Sequence, residues 1–138
     1  MQLYNFFRSG SSHRLRIAMN LKGLAYDYVA VDLRTEEHLG AAFKALNPQG
    51  LVPVLVDGDL MLTQSPAIIE WLEERYPTPP LLPSGLEDRA RVRAMAAIVG
   101  CDIHPISNAV PSASVTARRW PMPIWCRRWK ARVVSRSI

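Results

Sequence analysis

The stretch LVPVLVDGDLMLT, residues 51 to 63, constrains the fold of this chain more than any other. Two apolar runs flank Asp57-Gly58, and Asp-Gly is a dipeptide strongly preferred in the two-residue turn between antiparallel strands. The pattern therefore predicts a β-hairpin. Ser65-Pro66 follows at once, a capping residue before a proline suited to the first turn of a helix, so the hairpin should lead directly into a helix.

Two strand-helix units precede the hairpin. The first pairs a short strand at residues 2 to 5 with a helix over 11 to 22, which Gly23 should end. The second pairs an apolar strand at 25 to 33 with a helix between a cap at Thr35 and a stop at Pro48. The order β-α-β-α-β-β-α is typical of a thioredoxin-like α/β domain.

A proline-rich linker, residues 77 to 85, separates this domain from a second helical stretch that begins at Leu86 and extends to about residue 105. Its apolar positions recur at helical spacing and include Val92, Met95 and Val99. We expect a thioredoxin-like domain over residues 1 to 79, then a linker and the first helix of an all-helical domain over 80 to 109.

Length and cysteine count suit a small intracellular protein. The chain has 138 residues and two cysteines, Cys101 and Cys126, too few for a disulfide framework. The sequence shows no signal-like start and no run of 18 apolar residues, so we expect neither secretion nor a membrane span and place the chain in the cytoplasm.

The charge divides the chain near Ala109. Residues 1 to 109 hold all 12 acidic residues and ten of the 17 Lys and Arg, a net of −2, whereas residues 110 to 138 hold seven basic residues and three of the four tryptophans. A basic, aromatic arm of this kind would bind polyanions weakly and in a salt-sensitive way, without base readout, so no specific nucleic-acid partner is expected.

Three hydroxyls lie where the first strand meets the first helix, in the sequence FFRSGSSHRLRIAMN. Ser9, Ser11 and Ser12 are suitable helix caps. The same place is also a favourable anion site, because unpaired N–H groups and the helix dipole favour negative charge there. Locally, the capping role alone explains these residues.

The wider sequence resembles the zeta class of glutathione transferases, which includes maleylacetoacetate and maleylpyruvate isomerases. The resemblance runs from residue 1 to about 109 and is carried by the serine-rich loop, the Val52-Pro53 step and the Gln64-Ser65 pair, in the family's order and spacing. One departure is Ser9-Gly10-Ser11, where the class usually has Ser-Ser-Cys.

The resemblance implies that Ser9 is catalytic and donates its hydroxyl hydrogen to the sulfur of glutathione, the cofactor. It implies that Val52, before a cis Pro53, pairs with the cysteinyl backbone of glutathione, and that Gln64 and Ser65 hold its γ-glutamyl end. The other expected contacts to glutathione are Gly10, Ser11, His38, Asp102, His104 and Asn108. Arg8 would bind a substrate carboxylate, or else be a solvated surface charge, and His38 is equally explained as an exposed helix residue. The histidines are too scattered for a metal site.

The function implied is glutathione-dependent cis-trans isomerisation of a maleyl-type dicarboxylate by a protein that is a homodimer in its intact form. Two alternatives remain open. One is general glutathione conjugation, and the other is a truncated module that binds glutathione or a partner without turnover.

The tail beyond Ala109 departs from the family. Read one base out of frame with allowed third bases, residues 111 to 134 become VCFGDSPTLADADLVPQVESARRF, which resembles a late C-terminal segment of the family. We therefore interpret the tail as the product of an internal deletion with a frameshift, or of a sequencing error with that effect, and expect it to lack ordered structure.

Overall fold

A computed structural model describes residues 1–107 and confirms the predicted order of elements in the first domain. The strands are β1 Gln2–Asn5, β2 Asp27–Ala30, β3 Val54–Asp57 and β4 Leu60–Thr63. The helices are α1 Gly10–Leu21, α2 Ala41–Leu46, α3 Ser65–Arg75, α4 Leu86–Ala97 and α5 His104–Ser107, with a π-helical segment Ile98–Ile103 joining α4 to α5. The predictions for Asn108 and for residues 110 to 138 lie outside the described residues.

The four strands form one mixed sheet in the order β2-β1-β3-β4. β1 is parallel to β2 and antiparallel to β3, and β3 pairs with β4 through the predicted hairpin, whose turn includes Gly58 at φ 59°. The register places Tyr4 opposite Val54, and Val54 opposite Thr63. The end of β1, the start of β3 and the end of β4 therefore lie at the same end of the sheet, which we call the site edge.

Period-two alternation in the strands divides the core between the two faces of the sheet. On one face, Leu3 and Leu55 pack with side chains of α1 and α3, and on the other Val54 packs with Phe43 of α2. The first cluster is the larger and is fully buried; its members are Leu3, Leu15, Met19, Leu55, Ile68 and Leu72. This packing fixes the N-terminal ends of α1 and α3, which both lie beside the site edge.

The second helix differs from its prediction. Two 3₁₀ turns, Leu33–Thr35 and Glu37–Leu39, replace its expected first half, and α2 begins only after Gly40. The cap is Asp32 rather than Thr35, because the Asp32 carboxylate accepts the backbone N–H of Arg34 at 2.9 Å. Such local side-chain bonds compete with helix formation and favour a turn.

A buried ion pair anchors the linker to the first domain. Lys22 Nζ donates to Glu73 Oε2 at 2.7 Å and to the carbonyl oxygens of Tyr76 and Pro79, while the Glu73 carboxylate accepts the N–H groups of Leu81 and Leu82. Burial raises the pKa of Glu73, but the bonds from Lys22 and the linker outweigh burial and hold that pKa below its usual range. These bonds hold the linker against α3.

The second helical stretch extends from Leu86 to Ser107, as far as predicted, but it changes from α-helix to π-helix at Ile98 and is poorly buried. α4 ends at Ala97 and has no buried residue, and its side chains Leu86 and Met95 are 76% and 59% exposed. Two polar contacts hold it to the first domain: Arg93 with Glu70 on α3, and His104 with Ser11. Among the described residues, no helix is long and apolar enough to cross a membrane.

Candidate functional site

Ser9 lies four residues beyond β1, at the start of α1. Its Oγ accepts the backbone N–H of Ser12 at 3.3 Å, so it is the N-cap of the helix, as the local sequence predicts. A hydroxyl that accepts a bond in this way keeps its own hydrogen for another acceptor. Capping the helix and donating to an anion are therefore compatible in the same residue.

Ser11 and His104 form a direct contact between α1 and the end of the second helical stretch. Ser11 Oγ lies 2.7 Å from His104 Nε2. Partial burial lowers the pKa of His104, and repulsion from the Arg14 guanidinium lowers it further, so both favour the neutral imidazole. Gly10 makes room for the ring, because a Cβ there would lie 3.1 Å from His104 Cε1.

Val52 presents unpaired backbone groups at the site edge. It lies two residues before β3, the Val52-Pro53 peptide bond is cis as the resemblance implied, and Pro53 is buried. Within residues 1–107, no hydrogen bond forms to the N–H or C=O of Val52. Free backbone groups next to a strand can pair with an extended peptide in the manner of an added strand.

Gln64 and Ser65 lie at the end of β4, where α3 begins. Gln64 has φ 69° and ψ 100°, an uncommon conformation for a residue with a side chain, and its Nε2 donates to Gln49 Oε1 at 2.9 Å. Gln64 occupies the N-cap position without a capping bond from its side chain, and Ser65 is the first residue of the helix, which shifts the predicted cap by one position. Strained backbone of this kind is concentrated at functional sites.

Two arginines of α1, which sequence reasoning did not select, support the loops around this edge. Arg16 donates to Asn5 Oδ1 at 2.8 Å and to the carbonyl oxygens of Phe6 and Phe7, bracing the segment that leads to Ser9. Arg14 Nη1 donates to Ser65 Oγ at 3.2 Å. Sequence reasoning missed both because a basic residue on a helix is usually a solvated surface charge.

Three other residues predicted for the site, His38, Arg8 and Asp102, lie on separate elements. His38 is partly buried in the second 3₁₀ turn, and its Nδ1 is buried with no hydrogen-bond partner in the described part of the chain. Arg8 and Asp102 are exposed. Arg8 forms no ion pair with any described residue, and no cluster of metal-binding side chains occurs among residues that the structure describes.

The comparisons find similar proteins in one family. Residues 8–75 match the model of the glutathione S-transferase N-terminal domain. The maleylpyruvate isomerase of a Ralstonia species is 71% identical over 108 residues, which cover 78% of this chain and 51% of that relative. A solved holo maleylpyruvate isomerase, described as a bacterial glutathione S-transferase of the zeta class, has a TM-score of 0.77 over the same shares. Over the matched residues, the chain is similar to the zeta class of glutathione transferases.

Further relatives give the same similarity. The maleylacetoacetate isomerase of Pseudomonas aeruginosa is 55% identical over 123 residues, covering 87% of this chain and 57% of the relative. A maleylacetoacetate isomerase structure from Methylobacterium extorquens, solved with malonate and glutathione, has a TM-score of 0.76 at 47% identity over 80% of this chain and 51% of that one. The chain thus spans about half the length of the curated relatives that it matches.

Proposed function

We propose that the chain binds glutathione at the site edge, as the first domain of a glutathione-dependent isomerase acting on a maleyl-type dicarboxylate. One observation carries the proposal. The sheet register brings Ser9, the unpaired backbone of Val52, and the Gln64-Ser65 pair to the same end of the sheet, although up to 56 positions separate them in the sequence. These three sets of groups match three parts of one peptide-like ligand.

The chemistry of each group fits a part of glutathione. The free N–H and C=O of Val52 suit the cysteinyl backbone, the hydroxyl of Ser9 suits the sulfur, and the N-terminus of α3 at Ser65 suits the γ-glutamyl carboxylate. The buried, unpartnered Nδ1 of His38 marks that residue as the candidate for the glycyl end. Gly10, Ser11 and His104 would form the wall beside the sulfur.

Ser9 would favour the ionised form of the thiol. Its hydroxyl hydrogen is free to donate, and a hydrogen bond to the charged form of a group stabilises that form and lowers the pKa of the thiol. When bound, glutathione would supply the thiolate that attacks the cis double bond. The role of Ser9 is to hold the sulfur at the N-terminus of α1, where the helix dipole adds to the stabilisation of negative charge.

Arg8 is the proposed contact to the substrate. It is exposed one residue before Ser9 and has no ion-pair partner within the described chain, so its guanidinium is available to a dicarboxylate. A guanidinium binds a carboxylate through two parallel hydrogen bonds, which orients as well as attracts the substrate. Asp102, on the π-helical segment, and Asn108 remain proposed members of the same wall.

A second function, glutathione binding with little or no turnover, has a specific observation in its favour. α4 and the π-helical segment expose apolar side chains, Leu86, Met95 and Val99 among them, and an enclosed substrate pocket needs apolar walls that exclude water. This chain would then bind glutathione but isomerise poorly, while a form with the full helical domain would be active. General glutathione conjugation and a homodimer in the intact form remain proposals of the resemblance alone, and a cytoplasmic location remains a proposal from the sequence.

The domain division is proposed as residues 1 to 79 for glutathione binding and 80 to 109 for the linker and first helix. The tail, residues 110 to 138, is proposed to be out of frame. Resequencing the gene across the Ala109 junction tests this. A frame that stays open and unchanged there would refute a sequencing error, and a parental gene that carries the in-frame family sequence would support the deletion.

Amide chemical-shift mapping on the full chain tests the binding site. We expect glutathione to shift the amide signals of Ser9, Val52 and Ser65, with oxidised glutathione and free cysteine as comparison ligands. Turnover of maleylpyruvate or maleylacetoacetate, with and without glutathione, then separates an active isomerase from a binding module. Absence of binding, or shifts confined to residues away from the site edge, would refute the proposed function.

A further inference from the structure

We propose that Arg14 is a positioning residue of the γ-glutamyl end of the site: it orients the Ser65 hydroxyl toward the ligand's α-carboxylate and adds a positive charge to the N-terminus of α3. This inference rests on the proposed glutathione-binding function. It is carried by two observations, the hydrogen bond between Arg14 and Ser65 and the lack of a carboxylate partner for Arg14 in the described chain.

The hydrogen bond fixes the direction of the Ser65 hydroxyl. Arg14 reaches from α1 to the first residue of α3, where its Nη1 lies 3.2 Å from Ser65 Oγ. A guanidinium only donates, so Ser65 must accept and its own hydrogen stays free. Ser65 is 3% exposed, and no residue within 1–107 accepts that hydrogen. A buried donor of this kind is stabilised when an acceptor arrives.

The charge of Arg14 is uncompensated. Three arginines of the described chain form ion pairs, Arg34 with Asp32, Arg91 with Asp88 and Arg93 with Glu70, whereas others, Arg8 and Arg16 among them, do not. Arg14 is partly buried and has no carboxylate partner within the same residues.

Arg14 also lies beside a helix end that is itself positive, since unpaired N–H groups give the N-terminus of α3 a partial positive charge. Two positive groups held together without an anion destabilise the free protein, and a carboxylate bound between them removes that cost.

The π-helical segment closes over the arginine. A Cβ placed on Gly100 would lie 3.4 Å from Arg14 Nη1 and 3.5 Å from Pro66 Cγ. Both are ordinary van der Waals distances, so the segment lies beside both groups. Arg14 is held between α1, α3 and this segment, which limits its rotamers and keeps its guanidinium at Ser65.

The role assigned to Arg14 predicts a selective defect. Arg14→Gln should weaken glutathione binding about tenfold, the effect of losing a charge-assisted contact. It should not weaken binding of 4-aminobutanoyl-cysteinyl-glycine, which lacks the γ-glutamyl α-carboxylate. Arg14→Lys, which keeps the charge without the planar fork, should recover part of the loss. Arg91→Gln, on the exposed face of α4, is the matched control and should bind both ligands as wild type does.

Calorimetric titration of the full chain with both ligands, together with thermal melts, decides between the roles. We expect free Arg14→Gln to melt at the wild-type temperature or above it. Equal weakening of both ligands would show a merely structural role, and unchanged glutathione affinity would overturn the inference alone. Absence of glutathione binding by the wild type would overturn the proposed function, and this inference with it.

Discussion

Replacing Ser9 by alanine should separate the two roles that the structure gives to its hydroxyl. As an acceptor, Ser9 Oγ caps α1 through the N–H of Ser12. As a donor, it would stabilise the thiolate of bound glutathione. Alanine removes both bonds, but the first affects the free energy of unfolding and the second the pKa of the bound thiol, so the two effects are measured independently.

The geometry sets the size of each effect. The capping bond is 3.3 Å long, beyond the usual range for N–H···O, so its loss should cost about 0.5 to 1 kcal/mol, at the low end for N-caps. For a domain of this size that is a melting temperature lower by roughly 2 to 8 °C. Hydrogen bonds to charged groups contribute about 1.5 to 3 kcal/mol, so the thiol pKa should rise by about one to two units.

The assay is a pH titration of glutathione bound to the full chain, followed by the ultraviolet absorbance of the thiolate, beside a thermal melt of the free chain. Ser9→Thr keeps the hydroxyl and should retain most of the lowered thiol pKa. Ser84→Ala, in the exposed linker, is the control for a neutral serine substitution. If Ser9→Ala lowered the melting temperature and left the thiol pKa unchanged, Ser9 would be a helix cap and nothing more.

Three further outcomes follow from particular side chains. Gln64→Gly should relieve a positive φ and raise stability by about 1 kcal/mol while weakening glutathione binding, which melts and calorimetry would show; a loss of stability would contradict the strain argument. Ser12→Ala should be neutral or slightly stabilising in urea unfolding, because its buried Oγ has no partner within the described residues; a loss above about 1 kcal/mol would reveal a missed partner. Lys22→Met should cost roughly 3 to 5 kcal/mol, since it leaves Glu73 buried without its cation. Because the folded pKa of Glu73 is lowered, its contribution is present above its unfolded pKa of about 4.3 and is lost as the pH falls through the folded value, so acidification should destabilise wild type more steeply than Glu73→Gln.

Turn chemistry explains which elements were predictable from the sequence. Asp57-Gly58 and Gly23 have strong local preferences, and both glycines adopt the positive φ that their positions require. The region after β2 was not predictable in the same way, because a left-handed Glu36 and the side-chain bonds of Asp32 break the expected helix into two turns. No glycine or proline marks that break between residues 32 and 39.

The residues of the candidate site also differ in whether their neighbours in the sequence reveal them. Ser9 and Ser65 stood out because capping residues are recognisable from their neighbours in the sequence. Arg14 did not stand out, because its partner Ser65 is 51 positions away and because its role depends on having no carboxylate partner among residues 1–107. A missing counter-ion is a property of the folded surroundings, and no local pattern encodes it.

The way in which α4 is attached determines what this chain can do with a bound ligand. The first domain has its own buried core and carries Ser9, Val52, Gln64 and Ser65 on the sheet and the helices packed against it. α4 buries no side chain, and the ion pair that joins it to α3 is exposed at both partners, a kind that contributes at most about 1 kcal/mol. Elements with so few buried contacts open before the core does. Glutathione contacts should therefore persist when α4 opens, whereas the wall that includes His104 should not, and this asymmetry favours binding over turnover in the chain as it stands.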